Sequence, residues 1–210
     1  MNNPATHFYQ PQHGHRLRHD PFNAIIAPRP IGWISSISAK GIFNLAPYSF
    51  FNALNYRPPL IGFSSIGWKD SVANIAATKE FCWNLVSKPL AEAMNRSCAE
   101  APSDVSEFDF SAVTPTPSEL VAAPRVLESP VTFECRLSQI TQLVSAQQEP
   151  IESWFVIGEV VAVHIAAHLI TDGIFDTLAA EPILRGGGPG DYFELGPESR
   201  FLMRRPNWPL

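Results

Sequence analysis

Between Pro28 and Phe51 the chain reads PRPIGWISSISAKGIFNLAPYSFF, and no other stretch narrows the fold as much. Ile31, Trp33, Ser35 and Ile37 alternate with Gly32, Ile34, Ser36 and Ser38, the two-residue period of a β-strand. Ala39-Lys40-Gly41 supplies a turn, with Gly41 free to take the positive φ that many hairpins need. A second strand is expected from Ile42 to about Ala46, stopping where Pro47 removes a ladder donor. Tyr48-Ser49-Phe50-Phe51-Asn52 then sets hydroxyl and amide groups among aromatics. Two readings fit this stretch. Its serines fill tight places under a barrel, or the segment offers backbone N–H groups and an apolar wall to a flat polar ring.

The rest of the chain supports a β-rich domain. Leu60–Ser65 and Phe81–Val86 read as strands, Val131–Ser138 as a strand with one solvated face, and Trp154–His164 as the longest strand. A helix is expected after Gly67-Trp68, N-capped by Asp70 or Ser71, with Val72, Ile75, Ala76 and Lys79 at helical spacing. A second should run from about Pro89 to Cys98, and a short third near Asp176–Ala180. Residues 101–130 show no period and read as a long surface loop. Six or more antiparallel strands with a few short helices predict a closed barrel, since closure removes exposed edges.

At 210 residues with no polar linker, one domain is expected over 21–210, behind a flexible, His-rich arm at 1–20. A net charge of −5 argues against a nucleic-acid partner, which would call for a basic patch. No apolar run reaches the ~18 residues of a membrane span, and the N-terminus has no secretory core. Cys82, Cys98 and Cys135 are odd in number and far apart, which suits reduced thiols in a cytoplasmic protein rather than disulfides or a metal site.

Candidate chemistry is sparse. Lys69-Asp70-Ser71 places a cation and a hydroxyl where a helix begins, the donor set a phosphate needs, and Ser35, Ser36 and Ser38 could add hydroxyls from a neighbouring strand. A solvated Lys-Asp pair with ordinary capping explains the same residues. Arg185–Tyr192 is a glycine-rich loop that matches no nucleotide motif. His164, late on an apolar strand, reads as a hydrogen-bonded structural histidine sooner than as a base. No Ser/His/Asp set, HExxH or CxxC is present, so any catalysis falls to a bound cofactor.

Taken together, Arg29–Ser36, Asn44–Asn52, Lys69–Ser71 and Ile157–His164 resemble, in order, the flavin reductase-like family from about Asp20 to Tyr192. The resemblance implies a mainly β fold: an FMN-binding split β-barrel of Greek-key type with short flanking helices. It implies a homodimer with FMN at the subunit interface, and NADH or NADPH as electron donor. Carried over by position, it puts Ser35, Ser36 and Ser38 near the ribityl-phosphate, and Lys69 and Ser71 on the phosphate. Ala46, Pro47, Ser49, Phe50, Phe51 and Asn52 would hold the isoalloxazine, with Arg185 and Tyr192 approaching from the C-terminal region. It assigns no catalytic side chain. An FMN-binding electron carrier, or a relative acting directly on an organic substrate, fits the same residues.

Overall fold

The structure, a computed structural model, describes residues 5–206. After a short helix α1 (Phe22–Ile25) come strands β1 (Gly32–Ile37), β2 (Phe43–Tyr48), β3 (Phe51–Tyr56) and β4 (Pro59–Ile66). Helix α2 (Asp70–Thr78) and strand β5 (Glu80–Asn84) follow, then helices α3 (Ala91–Arg96) and α4 (Phe108–Ser111) and two short strands, β6 (Pro115–Thr116) and β7 (Arg125–Val126). The long pair β8 (Val131–Val144) and β9 (Pro150–Ile165) precedes β10 (Ile170–Thr171), β11 (Ile174–Phe175), β12 (Ile183–Arg185) and β13 (Tyr192–Glu194).

Seven strands form one antiparallel sheet in the order β2-β1-β5-β8-β9-β4-β3. Its two edge strands, β2 and β3, are consecutive in the chain and separated only by Ser49 and Phe50. The sheet therefore curls until its ends approach, yet no ladder joins them. The barrel is split along β2 and β3 rather than closed, which corrects the expectation of full closure.

Two apolar clusters hold this shape. Inside the curl, Ile34, Ile61, Phe63, Phe81, Cys135 and Val156 meet Val72 and Ile75, the inward face of α2, which plugs the barrel. Gly158 on β9 leaves the room Phe81 needs: a Cβ there would lie 2.4 Å from its ring. On the other side, Trp33, Leu45, Val86, Met94, Phe108 and Ile183 pack α3 and α4 against the sheet. Trp33 Nε1 donates to Ser97 Oγ at 3.0 Å, so this wholly buried indole has its donor satisfied.

Several local expectations need correction. Pro47 does not end β2; it pairs with Trp33 within the strand, tolerated because β2 is an edge. Lys69, not Asp70 or Ser71, holds the N-cap position of α2, and no side chain caps it. Residues 101–130 are not a loose surface loop. They carry α4, β6 and β7 and bury Phe108, Val113, Val121, Ala123 and Val126. No helix forms at Asp176–Ala180. Instead Asp176 Oδ1 accepts from the Leu178 and Ala179 N–H groups and folds the chain into a turn. Within the expected arm at 1–20, the first four positions lie outside the described residues, and 5–20 are largely exposed.

Candidate functional site

Along the split between β2 and β3 lie three adjoining hollows that share lining residues and together make up the candidate groove. At one end, a hollow of about 370 Å³ is lined by Asn44, Ala46, Pro47 and Tyr48 of β2, the start of α2, and Glu107. The first helical bond of α2 runs from Ala73 N–H to Lys69 O, so the N–H groups of Asp70, Ser71 and Val72 have no helical acceptor. Lys69 adds an ammonium beside them. The Tyr48 hydroxyl, buried on the same wall beside Ser71 and Ser65, makes no well-aligned hydrogen bond among the described residues, and burial raises its phenol above the ordinary value against the pull of those two hydroxyls. Donors without acceptors, one cation and a helix N-terminus are what an anion of phosphate size requires.

Pro47 and Cys98 also line a middle hollow of about 130 Å³, with Ser49, Arg185 and Tyr192. Ser49 then opens into a third, of about 340 Å³, walled by Phe50, Phe51, Asn52 and Phe155. The groove thus passes from a cationic, donor-rich end to an aromatic one. Cys98 is a free, exposed thiol at the bend; burial pushes its pKa up, against the pull of Arg185 and Lys69.

Ten of the thirteen residues expected at the site lie on this groove: Ala46, Pro47, Lys69 and Ser71 at the first end, Ser49, Arg185 and Tyr192 in the middle, and Phe50, Phe51 and Asn52 beyond. Ser35 and Ser36 of β1 and Ser38 just after it do not line it. Ser35 is fully buried, its hydroxyl donating to Pro124 O and accepting from Asn84 Nδ2 at 3.0 Å. Ser36 lies one step behind the wall, 3.3 Å from Asn44 Oδ1, and Ser38 accepts from Ile42 N–H inside the β1–β2 turn. Neighbouring side chains on a strand point to opposite faces, so Ser35 and Ser36 were never able to serve one pocket together. Arg185 touches the groove but spends its guanidinium on its own loop, donating to Gly187 O, Gly188 O and Asp191 O, and lies over the Tyr192 ring.

Two further residues were not singled out by sequence. Arg29 is 8% exposed and donates to Ser49 O at 3.1 Å, Ile26 O at 2.6 Å, Gly186 O at 3.1 Å, and Asn23 O. Burial, then the charge of Arg185, lowers its pKa, and its guanidinium lies 5.6 Å from the centre of the Phe50 ring. It pins the aromatic end of the groove to the glycine loop and to the segment before β1. Its place in the Arg29-Pro30 pair ahead of the hairpin was the available signal. Glu107, in the stretch read as loop, sits 7% exposed at the phosphate-sized end. Its Oε2 accepts from Asn44 Nδ2 at 3.0 Å and from Leu45 N–H at 2.8 Å, and burial raises its pKa.

The split barrel thus sets a helix start with free N–H groups and an aromatic hollow along one seam. Residues 26–178 match the flavin reductase like domain, and the chain belongs to that family, a group of flavin-related oxidoreductases. Component B of nitrilotriacetate monooxygenase from Bacillus cereus has a similar structure, with a TM-score of 0.85, 30% identity, and coverage of 96% of this chain and 100% of that one. A flavin-reductase-like protein with a split barrel domain from Shewanella frigidimarina superposes with a TM-score of 0.76 at 26% identity, covering 89% of each chain. An uncharacterized protein of Aquifex aeolicus is 45% identical over 118 residues, which is 54% of this chain and 60% of the relative's length.

Proposed function

We propose that the protein is a cytoplasmic, FMN-dependent oxidoreductase of the flavin reductase type that passes hydride from NADH or NADPH to flavin. The observation that carries this reading is the polarity of the groove: one phosphate-sized donor set at one end and an aromatic hollow at the other. The first end offers donors for one phosphate and holds no second nucleotide motif, which favours FMN over FAD. When bound, the flavin supplies the two-electron chemistry that no side-chain constellation of this chain supplies. The protein's part is to hold and orient. The N–H groups at the start of α2, with Lys69 and Ser71, would take the phosphate. Backbone groups of Pro47 and Ser49 through Asn52 would hold the ring, and the Phe50, Phe51 and Phe155 side chains would shield it from water.

The same proposal includes a homodimer with composite sites. Leu54, Tyr56, Ile66 and Trp68 are exposed along β3 and β4 and just beyond, beside the aromatic end of the groove, an apolar edge suited to a second copy. The free state of all three cysteines agrees with a reducing compartment.

The test is an absorbance spectrum of the purified protein after addition of FMN, followed by anaerobic NADH or NADPH. Binding and rapid bleaching of the flavin bands are expected. Bound flavin that neither nicotinamide reduces within minutes would make the protein an electron carrier instead, and failure to bind flavin would overturn the proposal.

A further inference from the structure

Glu107 is a buried carboxylate in the wall of a hollow otherwise equipped to attract an anion. Its surroundings offset its charge only in part. The hydrogen bonds from Asn44 Nδ2 and Leu45 N–H both fall on Oε2, its own backbone N–H also leans on the carboxylate, no cation among the described residues bonds to it, and burial still raises its pKa. The titratable groups around the hollow are Lys69 and Asp70 from α2, Tyr48 from β2, and Cys98 and Glu100 from the segment after α3. Of these only Lys69 is positive. A phosphate entering here would meet Glu107 as a second buried negative charge, and like charges in one site favour protonation of one of them.

The hydrogen bonds behind Glu107 fix what that proton would do. Asn44 turns its Nδ2 toward Glu107, so its Oδ1 faces Ser71 and accepts the Ser71 hydroxyl at 2.7 Å. The Ser71 O–H is thereby committed away from the hollow. Ser36 Oγ lies 3.3 Å from the same Asn44 Oδ1 and accepts from Asn74 Nδ2 at 3.3 Å. If Glu107 takes up a proton, its O–H can donate to Asn44 Oδ1 once the amide turns over. Asn44 Nδ2 then donates to Ser71 Oγ, and the Ser71 O–H is released to donate to an anion. Glu107 Oε2 still accepts from Leu45 N–H. One proton enters at Glu107; the Ser36 hydroxyl, which donated to Asn44 Oδ1, gives up that long bond and accepts from the turned amide, while the other donors of the relay keep acceptors.

We propose that Glu107, Asn44 and Ser71 form a relay whose polarity reverses when Glu107 is protonated, so that the phosphate end of the groove binds its anion together with one proton. Glu107 is then a positioning residue acting through Asn44 on Ser71. The inference rests on the reading of the groove as a flavin site and deepens it: it makes affinity for the phosphorylated flavin dependent on pH and leaves riboflavin unaffected.

The experiment compares FMN and riboflavin binding by titration calorimetry, for wild type and Glu107→Gln, between about pH 7 and pH 8.5, where the flavin phosphate (second pKa about 6) is already a dianion. Running it in two amine buffers of different ionisation enthalpy counts the protons. Wild type should take up close to one proton per FMN and none per riboflavin, with FMN affinity falling by up to about tenfold per pH unit. Glu107→Gln should take up none and show the same FMN affinity across the range. FMN binding without proton uptake, or a variant with the wild-type pH slope, would overturn the relay while leaving the flavin site intact. Binding of neither flavin at any pH would overturn the flavin reading and the relay with it. The proton count on wild type decides the question even where the variant folds poorly.

Discussion

Two buried glutamates hold the excursion between β5 and β8 (residues 101–130), one near each end, and the fold treats them in opposite ways. Glu134 reaches from β8 to the excursion. Its Oε1 accepts from Glu119 N–H at 2.8 Å and from His164 Nε2, 2.6 Å away, and its Oε2 accepts from Leu120 N–H at 2.6 Å. Glu107 reaches from the excursion to β2 and accepts from two residues there, both on one oxygen, with its own backbone N–H as a further donor. Burial raises the pKa of both. At Glu134 the N–H of Glu119, the His164 ring and the N–H of Leu120 more than reverse it, and the net shift is downward. At Glu107 the N–H groups of Leu45 and of Glu107 itself and the Asn44 amide do not, and the net shift is upward. Burial alone does not set the charge of a buried acid; the strength and placement of its hydrogen bonds do. The satisfied acid is a fastening. The undersatisfied one stands in the candidate site.

The comparison can be broken at its stronger side first. Glu134→Ala would remove the acceptor of the Glu119 and Leu120 N–H groups, both in part-buried bonds, and the partner of His164, so the loss of three bonds to a buried carboxylate should cost about 3–5 kcal/mol in folding stability. Urea denaturation measures it. A loss below about 1 kcal/mol would mean that the clasp contributes little and that apolar packing of Val121 and Ala123 holds the excursion.

Next in size is a cation that has no carboxylate bonded to it. Lys69 stands at the groove without an ion pair among the described residues, and Lys69→Met keeps most of its stem while removing the charge. FMN affinity should fall about 10- to 150-fold, the equivalent of roughly 1.5–3 kcal/mol, with little change for riboflavin. Equal losses for the two flavins would remove Lys69 from the phosphate end.

The smallest effect concerns the sign of pH dependence. Glu134 has a depressed pKa in the folded state, so its contribution is present above the unfolded-state value and is lost as pH falls through the folded one. Glu107 has a raised pKa, so the fold favours its protonated form, and stability declines as pH rises from the unfolded-state value through the folded one. Thermal melts from acid to neutral pH should therefore show Glu134→Gln flattening the acid-side loss. Glu107→Gln should instead gain stability relative to wild type at neutral pH, by less than about 1 kcal/mol. If both variants shift the curve in the same direction, the contrast between the two acids is wrong.

How much of this was legible beforehand follows from which forces leave a local trace. The alternation at Ile31–Ser38 and the run at Trp154–His164 announced β1 and β9 because each strand has its own repeating faces. β3 was missed, since an edge strand exposed along Asn52–Tyr56 has no buried face to repeat. The excursion hid its structure because its buried side chains dock singly onto a surface made by other strands, so their spacing follows that surface. Lys69-Asp70-Ser71 was readable as a site because helix starts have local chemistry. Glu107 was not, because what matters about it is its distance from Asn44, 63 residues away. The Asp176 turn misled for a related reason: the same side-chain acceptor opens a helix or merely a turn, depending on what the following residues can continue.

The junction Ser49-Phe50 carries a last consequence, a matter of reach. A flat seven-stranded sheet would hold its outer strands about 29 Å apart at the usual 4.8 Å spacing. Two linking residues let the Cα atoms of Tyr48 and Phe51 lie at most about 11 Å apart. The curvature is thus imposed by a short strap and not by any bond across the seam. A strap that tight also sets the width of the seam, and the seam is the groove. Splicing a few glycines between Ser49 and Phe50 would let the sheet relax toward flatness without severing one ladder bond, and the gap in which the ring is proposed to lie would lose its gauge.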